Sequence, residues 1–299
     1  IDVNYLNLLS NYKICDKIIL LSLNGVHMGK IIAFANQKGG VGKTTTCINL
    51  AADVALMGKR VLIVDMDPQG NATSGVGIEK NSQLKTIYNV IDGDCSVKEV
   101  ILETMIPNLD IIPATVDLAG AEIDLVQMSS REKIIKNILS RIITNYNYIM
   151  IDCPPSLGLL TVNALTASNS IIIPIQCEFF ALEGLSQLMN TVRLVKHHLN
   201  SELDIEGVIL TMKDKRSNLV AEVSQEIMKF FGKKVYETYI PRNIRLAEAP
   251  SHGKPIMLYD VASKGAEAYL QLAEEFLERN KDSYKKITKH SKFKLRGSN

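Results

Sequence analysis

The chain has 299 residues, 46% of them hydrophobic, enough to bury one large α/β core and without a composition shift that marks a second fold. A formal charge of +2 excludes attraction of a polyanion by net charge alone: residues 281 to 299 hold seven Lys or Arg against Asp282, leaving 27 basic and 31 acidic side chains in residues 1 to 280. Five widely spaced cysteines, Cys15, Cys47, Cys95, Cys153 and Cys177, form no C-x-x-C pair and have no His at ligand spacing, so they read as buried or free thiols in a reducing cytoplasm.

Residues 1 to 27 precede Met28-Gly29-Lys30, where the sequence flows into its first strand, and are expected to be a non-native or disordered extension. Their apolar run at residues 18 to 26 imitates a signal segment but is far below spanning length and has no small-residue cleavage site well before Met28. The domain is expected over residues 28 to 280, followed by a basic tail over 281 to 299.

The apolar run Ile31 to Ala35 leads into Asn36-Gln37-Lys38-Gly39-Gly40-Val41-Gly42-Lys43-Thr44-Thr45-Thr46 and then into a helical pattern from Thr45 to Met57, closed by Gly58. Strand, glycine turn and helix make a phosphate cradle. Glycines let backbone N–H groups converge on an anion, and the helix adds the positive end of its dipole. Lys43 would reach the β and γ phosphates and the Thr44 hydroxyl would complete a Mg²⁺ shell. The loop is a variant, because Gln37 stands where G-x-x-x-x-G-K-[ST] has its first glycine and Lys38 adds a second lysine.

Arg60 to Asp65 reads as a buried parallel strand, completing a βαβ unit. It ends in Asp65-Met66-Asp67-Pro68-Gln69-Gly70-Asn71, at the sheet edge where α/β folds bind ligands; Asp67 is the candidate to orient a water or hold the Mg²⁺ shell. Short helices are expected around Leu84 to Ile91 and Val97 to Leu102, a strand at Leu109 to Pro113, and a helix opened by a capping box of Ser129 and Glu132. Tyr148 to Asp152 is four apolar residues and a carboxylate, the form of a Walker B element, with Asp152 placed to hold a Mg²⁺ water. Further strands are expected at Ser170 to Ile175, Ile205 to Thr211 and Val235 to Ile240, and helices at 181 to 199, from Ser217 onward, and at 261 to 279.

The loop K-G-G-x-G-K-[ST]-T resembles the deviant P-loop of the ParA/MinD superfamily of ATPases. D-x-D-P-Q-G-N at 65 to 71, D-C-P-P-S-L-G at 152 to 158 and P-x-Q-C-E at 174 to 178 resemble that family's switch and neighbouring segments. Residues 240 to 255 closely resemble the I-P-R-N-x-R-L-x-E-A-P-S-x-G-K-P signature of ParA-type partition ATPases. The resemblance implies a doubly wound, mostly parallel sheet with helices on both faces. It implies ATP and Mg²⁺ as cofactors, bound by Lys38, Gly39, Gly40, Val41, Gly42, Lys43, Thr44 and Thr45, with Pro241 and Asn243 walling the adenine. It implies roles in hydrolysis for Lys38, Asp67 and Asp152, with Thr44, Asp67 and Asp152 around the metal and Lys38 crossing into the partner of a nucleotide-sandwiched homodimer. Arg216 and Arg245 match positions that bind DNA nonspecifically in ParA-type proteins, and a ParB-type centromere-binding protein would stimulate hydrolysis.

Two relatives of that loop are rivals. A MinD-like membrane-associated division-site ATPase needs a C-terminal amphipathic helix, and Ile287, Phe293 and Leu295 do not line one helical face, so no stable membrane association is expected. A reductase of the nitrogenase iron-protein type needs paired cysteines across a dimer, and Cys153 has no second cysteine in a matching context. A binding module without turnover shares the same motifs.

Overall fold

A computed structural model describes residues 29–81, 83–178, 181–213, 218–288, 291 and 295–297. The extension expected at residues 1 to 27 lies outside them. Seven strands form one sheet: β1 (Lys30–Phe34), β2 (Val61–Asp65), β3 (Leu102–Glu103), β4 (Leu109–Ile112), β5 (Tyr148–Asp152), β6 (Ser170–Gln176) and β7 (Asp204–Thr211). Their order is β3-β4-β2-β5-β1-β6-β7, and every pairing is parallel except β3 with β4.

β2 and β5 are buried along their whole length, the physical reason their sequences are continuous apolar runs rather than alternating ones. One face of the sheet packs the helix Lys43–Leu56 and the closing helix Lys264–Arg279 around Phe34, Ile63 and Met150. The other face packs Leu118–Gln127, Leu159–Ala167, Ala181–His198 and Asn218–Phe231 around Val64, Ile151 and Ile173. This is the doubly wound α/β arrangement.

Several elements depart from the pattern in the sequence. Val235 to Ile240 is no strand: only Val235 and Pro241 make isolated bridges, to Val208 and Lys213. Between them the Glu275 carboxylate of the closing helix accepts the N–H groups of Glu237 and Thr238 at 2.9 Å each, taking donors that a ladder would have used. The capping box at Ser129 does not form, because Ser130 is left-handed (φ 53°) and Glu132 turns to Arg131 Nε at 3.0 Å; a 3₁₀ turn at Arg131–Lys133 and a short helix at Ile134–Leu139 replace the longer one. The first short helix is Ile87–Asp92, capped by Thr86; the second shrinks to a turn at Val97–Glu99, with Leu102 and Glu103 in β3. Leu118–Gln127 and Leu159–Ala167 are helices that periodicity alone does not single out.

The described part of the tail returns across the N-terminal ends of the strands. Ile287 is buried in the core, Lys285 N–H donates to Met57 O at 3.1 Å, and Arg296 pairs with Asp110 at 2.9 Å. Asp282 accepts a bond from Tyr148 and lies 3.4 Å from Lys59 Nζ.

Asp53, on the helix Lys43–Leu56, is fully buried and neither carboxylate oxygen has a hydrogen-bond partner. Burial pushes its pKa well above the usual carboxylate range. The folded chain then binds a proton that the unfolded chain releases, so stability falls as pH rises from the ordinary Asp value toward the raised one. Asp53→Asn, which cannot ionise, is expected to flatten that decline and to raise stability at neutral pH by on the order of 1 kcal/mol. Urea melts of both proteins between pH 5 and 8 check this; parallel curves would show that Asp53 does not titrate.

Candidate nucleotide site

The parallel order sets the carboxyl ends of β1, β2 and β5 side by side. Phe34 pairs in register with Asp152, and Asp152 with Asp65, so the P-loop leaves the sheet next to two carboxylates. Asn36 anchors the loop's start: its Nδ2 donates to Pro174 O at 2.7 Å and its Oδ1 accepts Lys38 N–H at 3.0 Å. Thr211, at the end of β7, donates to Val41 O at 2.7 Å and fixes the middle. Gly40 and Gly42 have φ of 73° and 88°, a left-handed backbone that glycine adopts without a Cβ penalty, and Gly42 directly precedes the helix Lys43–Leu56.

Lys43 is 6% exposed and its Nζ donates to Lys38 O at 3.2 Å, which folds the side chain back over the loop. Burial lowers its pKa, while Asp152 and Asp67 oppose that shift. Asp152 is fully buried and both its oxygens lack a hydrogen-bond partner. Burial first, and then the neighbouring Asp65, push its pKa well up; the nearby Thr44 hydroxyl works against the rise. Asp65 is pushed up to about 6, mainly by burial, and is better compensated, since it accepts from Asp67 N–H, Thr73 N–H and Thr73 Oγ1. Asp67 accepts Gln69 N–H at 2.9 Å.

An orphaned buried carboxylate beside a threonine hydroxyl and a phosphate cradle fits Mg²⁺. That ion keeps several waters and takes one or two protein oxygens together with phosphates. Among the described residues no three His, Cys, Asp or Glu side chains form a metal cage. Thr44 and Asp152 could hold the ion or its waters, with Asp67 next to them.

A cleft of about 620 Å³ runs from Gly42, Lys43 and Thr44 past Asp67 to Pro241 and Asn243, bringing the phosphate and adenine candidates into one space. Asn243 Oδ1 accepts Arg245 N–H at 2.8 Å as the cap of the turn Ile244–Glu248, which leaves its amide N–H groups for a ring acceptor. Lys38 precedes the lining residue Gly39 without lining the cleft itself, and its Nζ contacts Glu178 of the same chain. Arg245 sits outside the cleft, paired with Glu248 at 2.9 Å and Asp260 at 3.3 Å. Arg216 lies outside the described residues. Cys153 is buried with its thiol pKa pushed up by burial, which disfavours the thiolate that an iron–sulfur cluster would need.

Of the residues that hold this site together, Asn36 and Thr46 fall within the loop stretch but have no role assigned by its motif, and Asn49 and Thr211 lie outside every motif. Asn36 and Thr211 are polar ends of apolar strands, the one available signal. Thr46 ties the helix Lys43–Leu56 to the cleft wall through the Tyr269 hydroxyl at 3.1 Å, and Asn49 ties it to the chain beyond the cleft through Ile256 N–H to Asn49 Oδ1 at 2.7 Å.

Fold and site together define a P-loop nucleotide-binding protein. A family model described as an AAA domain matches residues 29–205. Over 248 residues the chain is 63% identical to the sporulation initiation inhibitor protein Soj of Bacillus subtilis, covering 83% of this chain and 98% of that one. Over 253 residues it is 52% identical to the chromosome partitioning protein ParA of Myxococcus xanthus, covering 85% and 89%. It superposes with a TM-score of 0.74, at 34% identity, on the crystal structure of cobyrinic acid a,c-diamide synthase from Mycobacterium smegmatis with bound ADP and magnesium, covering 85% and 96%. The chain belongs to the ParA/Soj family of chromosome-partitioning ATPases.

Replacing Lys43 by Ala removes the buried cation of the cradle and leaves the carboxylates unopposed. ATP affinity is expected to drop at least about a hundredfold, measured by isothermal titration. Wild-type affinity in Lys43→Ala would mean the nucleotide binds elsewhere.

Proposed function

We propose that the chain is an ATP-dependent dimer switch that hydrolyses ATP with Mg²⁺, binds DNA without reading sequence, and segregates chromosomes or plasmids with a ParB-type partner. The observation that carries the nucleotide half is the unpartnered Asp152 carboxylate facing Thr44 beside the P-loop. Lys43 and the loop amides would bind the β and γ phosphates, while Thr44 and a water held by Asp152 would orient the metal, whose charge offsets that developing on the transferred group. Asp67 would position the attacking water, a task that needs placement more than basicity. Pro241 and Asn243 would wall the adenine.

Dimerisation rests on Lys38. Its contact with Glu178 occupies it within one chain, and both side chains are partly exposed, so the pair can exchange for a phosphate of a second copy at modest cost. DNA binding rests on Arg245 and Arg216. Arg245 is more than half exposed in its ion pairs, which are weak in water and can be traded for DNA phosphates with counterion release. The membrane rival loses support, because Ile287, one of the tail's three large apolar residues, is buried in the domain's own core. No described helix is long and apolar enough to cross a membrane.

Asp67→Ala is expected to keep ATP bound and the dimer trapped, with turnover reduced about a hundredfold or more. Phosphate release and light scattering on one sample check it, and loss of ATP affinity with turnover intact would move Asp67 into the binding shell. Arg216→Ala combined with Arg245→Ala should abolish ATP-dependent DNA retention while ATP binding persists, and replacing the tail's Lys285, Lys286, Lys289, Lys292 and Lys294 by Ala, which keeps Ile287 in the core, should only weaken it. The reverse outcome in gel-shift assays would assign DNA to the tail.

A further inference from the structure

Behind Asp67 lies a set of buried polar groups that does not touch the cleft. Asp65, the last residue of β2, is fully buried and accepts three bonds: Thr73 Oγ1 at 2.7 Å, Thr73 N–H at 2.8 Å and Asp67 N–H at 3.2 Å. Thr73 is also fully buried, and its hydroxyl accepts the N–H of Ala114, just past the end of β4, at 2.9 Å. One hydroxyl thus uses its proton on Asp65 and a lone pair on Ala114, joining the edge of β4 to the segment that follows β2.

The turn in front of this bridge is closed on itself. Gly70 N–H donates to Asp67 O at 2.8 Å, and Gly70 is left-handed (φ 60°). A Cβ on Gly70 would stand 2.5 Å from Ala114 O, so the turn presses against the same residue whose N–H the Thr73 hydroxyl holds. Asp67 and Gln69 line the cleft, whereas Thr73 does not.

We propose that Thr73 is a positioning residue for hydrolysis: its hydroxyl, bridging Asp65 and the Ala114 amide, fixes the turn from Asp67 to Gly70 so that the Asp67 carboxylate meets the attacking water. Phosphate contacts come from the P-loop and are independent of this bridge, so the effect falls on turnover and not on nucleotide affinity. Without the hydroxyl, Asp65 loses one of three donors and Ala114 N–H is left buried without an acceptor, so the turn relaxes away from the position that hydrolysis needs.

This inference rests on the ATPase reading above, and the controls separate the two. Steady-state ATP hydrolysis with Mg²⁺ and ATP titration calorimetry are run on the full chain for wild type, Thr73→Val, Thr73→Ser and Asp67→Ala. Valine keeps the shape and removes the hydroxyl; serine keeps the hydroxyl and removes the methyl. The expected result is a kcat about tenfold or more below wild type in Thr73→Val with ATP affinity within about twofold, and recovery to within about threefold in Thr73→Ser. Unchanged kcat in Thr73→Val, affinity lost in step with kcat, or serine no better than valine would each overturn the positioning role. Turnover that survives in Asp67→Ala would also overturn it, because the bridge would then have no catalytic group to position, whereas absence of Mg²⁺-dependent turnover in the wild type would overturn the ATPase reading itself. Should Thr73→Val not fold, amide exchange on the wild-type chain with a nonhydrolysable ATP analogue decides: slow exchange at both Asp67 and Ala114 supports the bridge, and fast exchange at either overturns it.

Discussion

The structure depends on one electrostatic constraint: Asp65 and Asp152 sit in register on adjacent parallel strands, both fully buried, at the edge where the P-loop leaves β1. Two like charges cannot both ionise cheaply there, and burial raises both pKa values. The fold resolves the conflict unequally. Asp65 is surrounded by donors, whereas Asp152 is left open toward Thr44 and Lys43. A buried carboxylate so poorly compensated, beside the P-loop and the Thr44 hydroxyl, fits the reading that a cation and phosphates would converge there, and their binding would offset its cost.

That preparation extends through the domain. Asn36 and Thr211 fix the loop from β6 and β7, and Asn49 and Thr46 fasten the following helix to Ile256 and to Tyr269 of the closing helix. Residues 235 to 241 gain from not being a strand, because the Glu275 carboxylate takes two of their amides and lets the chain turn into the cleft wall at Pro241.

Charge is divided along the same axis. The nucleotide cleft opens at the carboxyl ends of the strands, and the described tail packs across the opposite ends. Arg296, one of the tail's seven cations, is held by Asp110. The tail thus contributes packing through Ile287 as well as charge, which its composition alone does not convey.

The βαβ order, the glycine turn at Gly39 to Thr45 and the two strands ending in carboxylates were legible before folding, because glycine torsions, continuous apolar runs and terminal acids are local signals in the sequence. It also carried the family, through motifs spread from Lys38 to Pro255. It could not show that Glu275, 37 and 38 residues away, would draw the amides of residues 238 and 237 out of a strand. Nor could it show that Ser130 would turn left-handed, that Arg245 would pair with Asp260, or that Thr73 would bridge Asp65 to Ala114. Those outcomes are decided by competition among distant hydrogen-bonding groups for the same buried donors and acceptors. That competition exists only once the sheet has brought the groups together, so tertiary structure alone settles it.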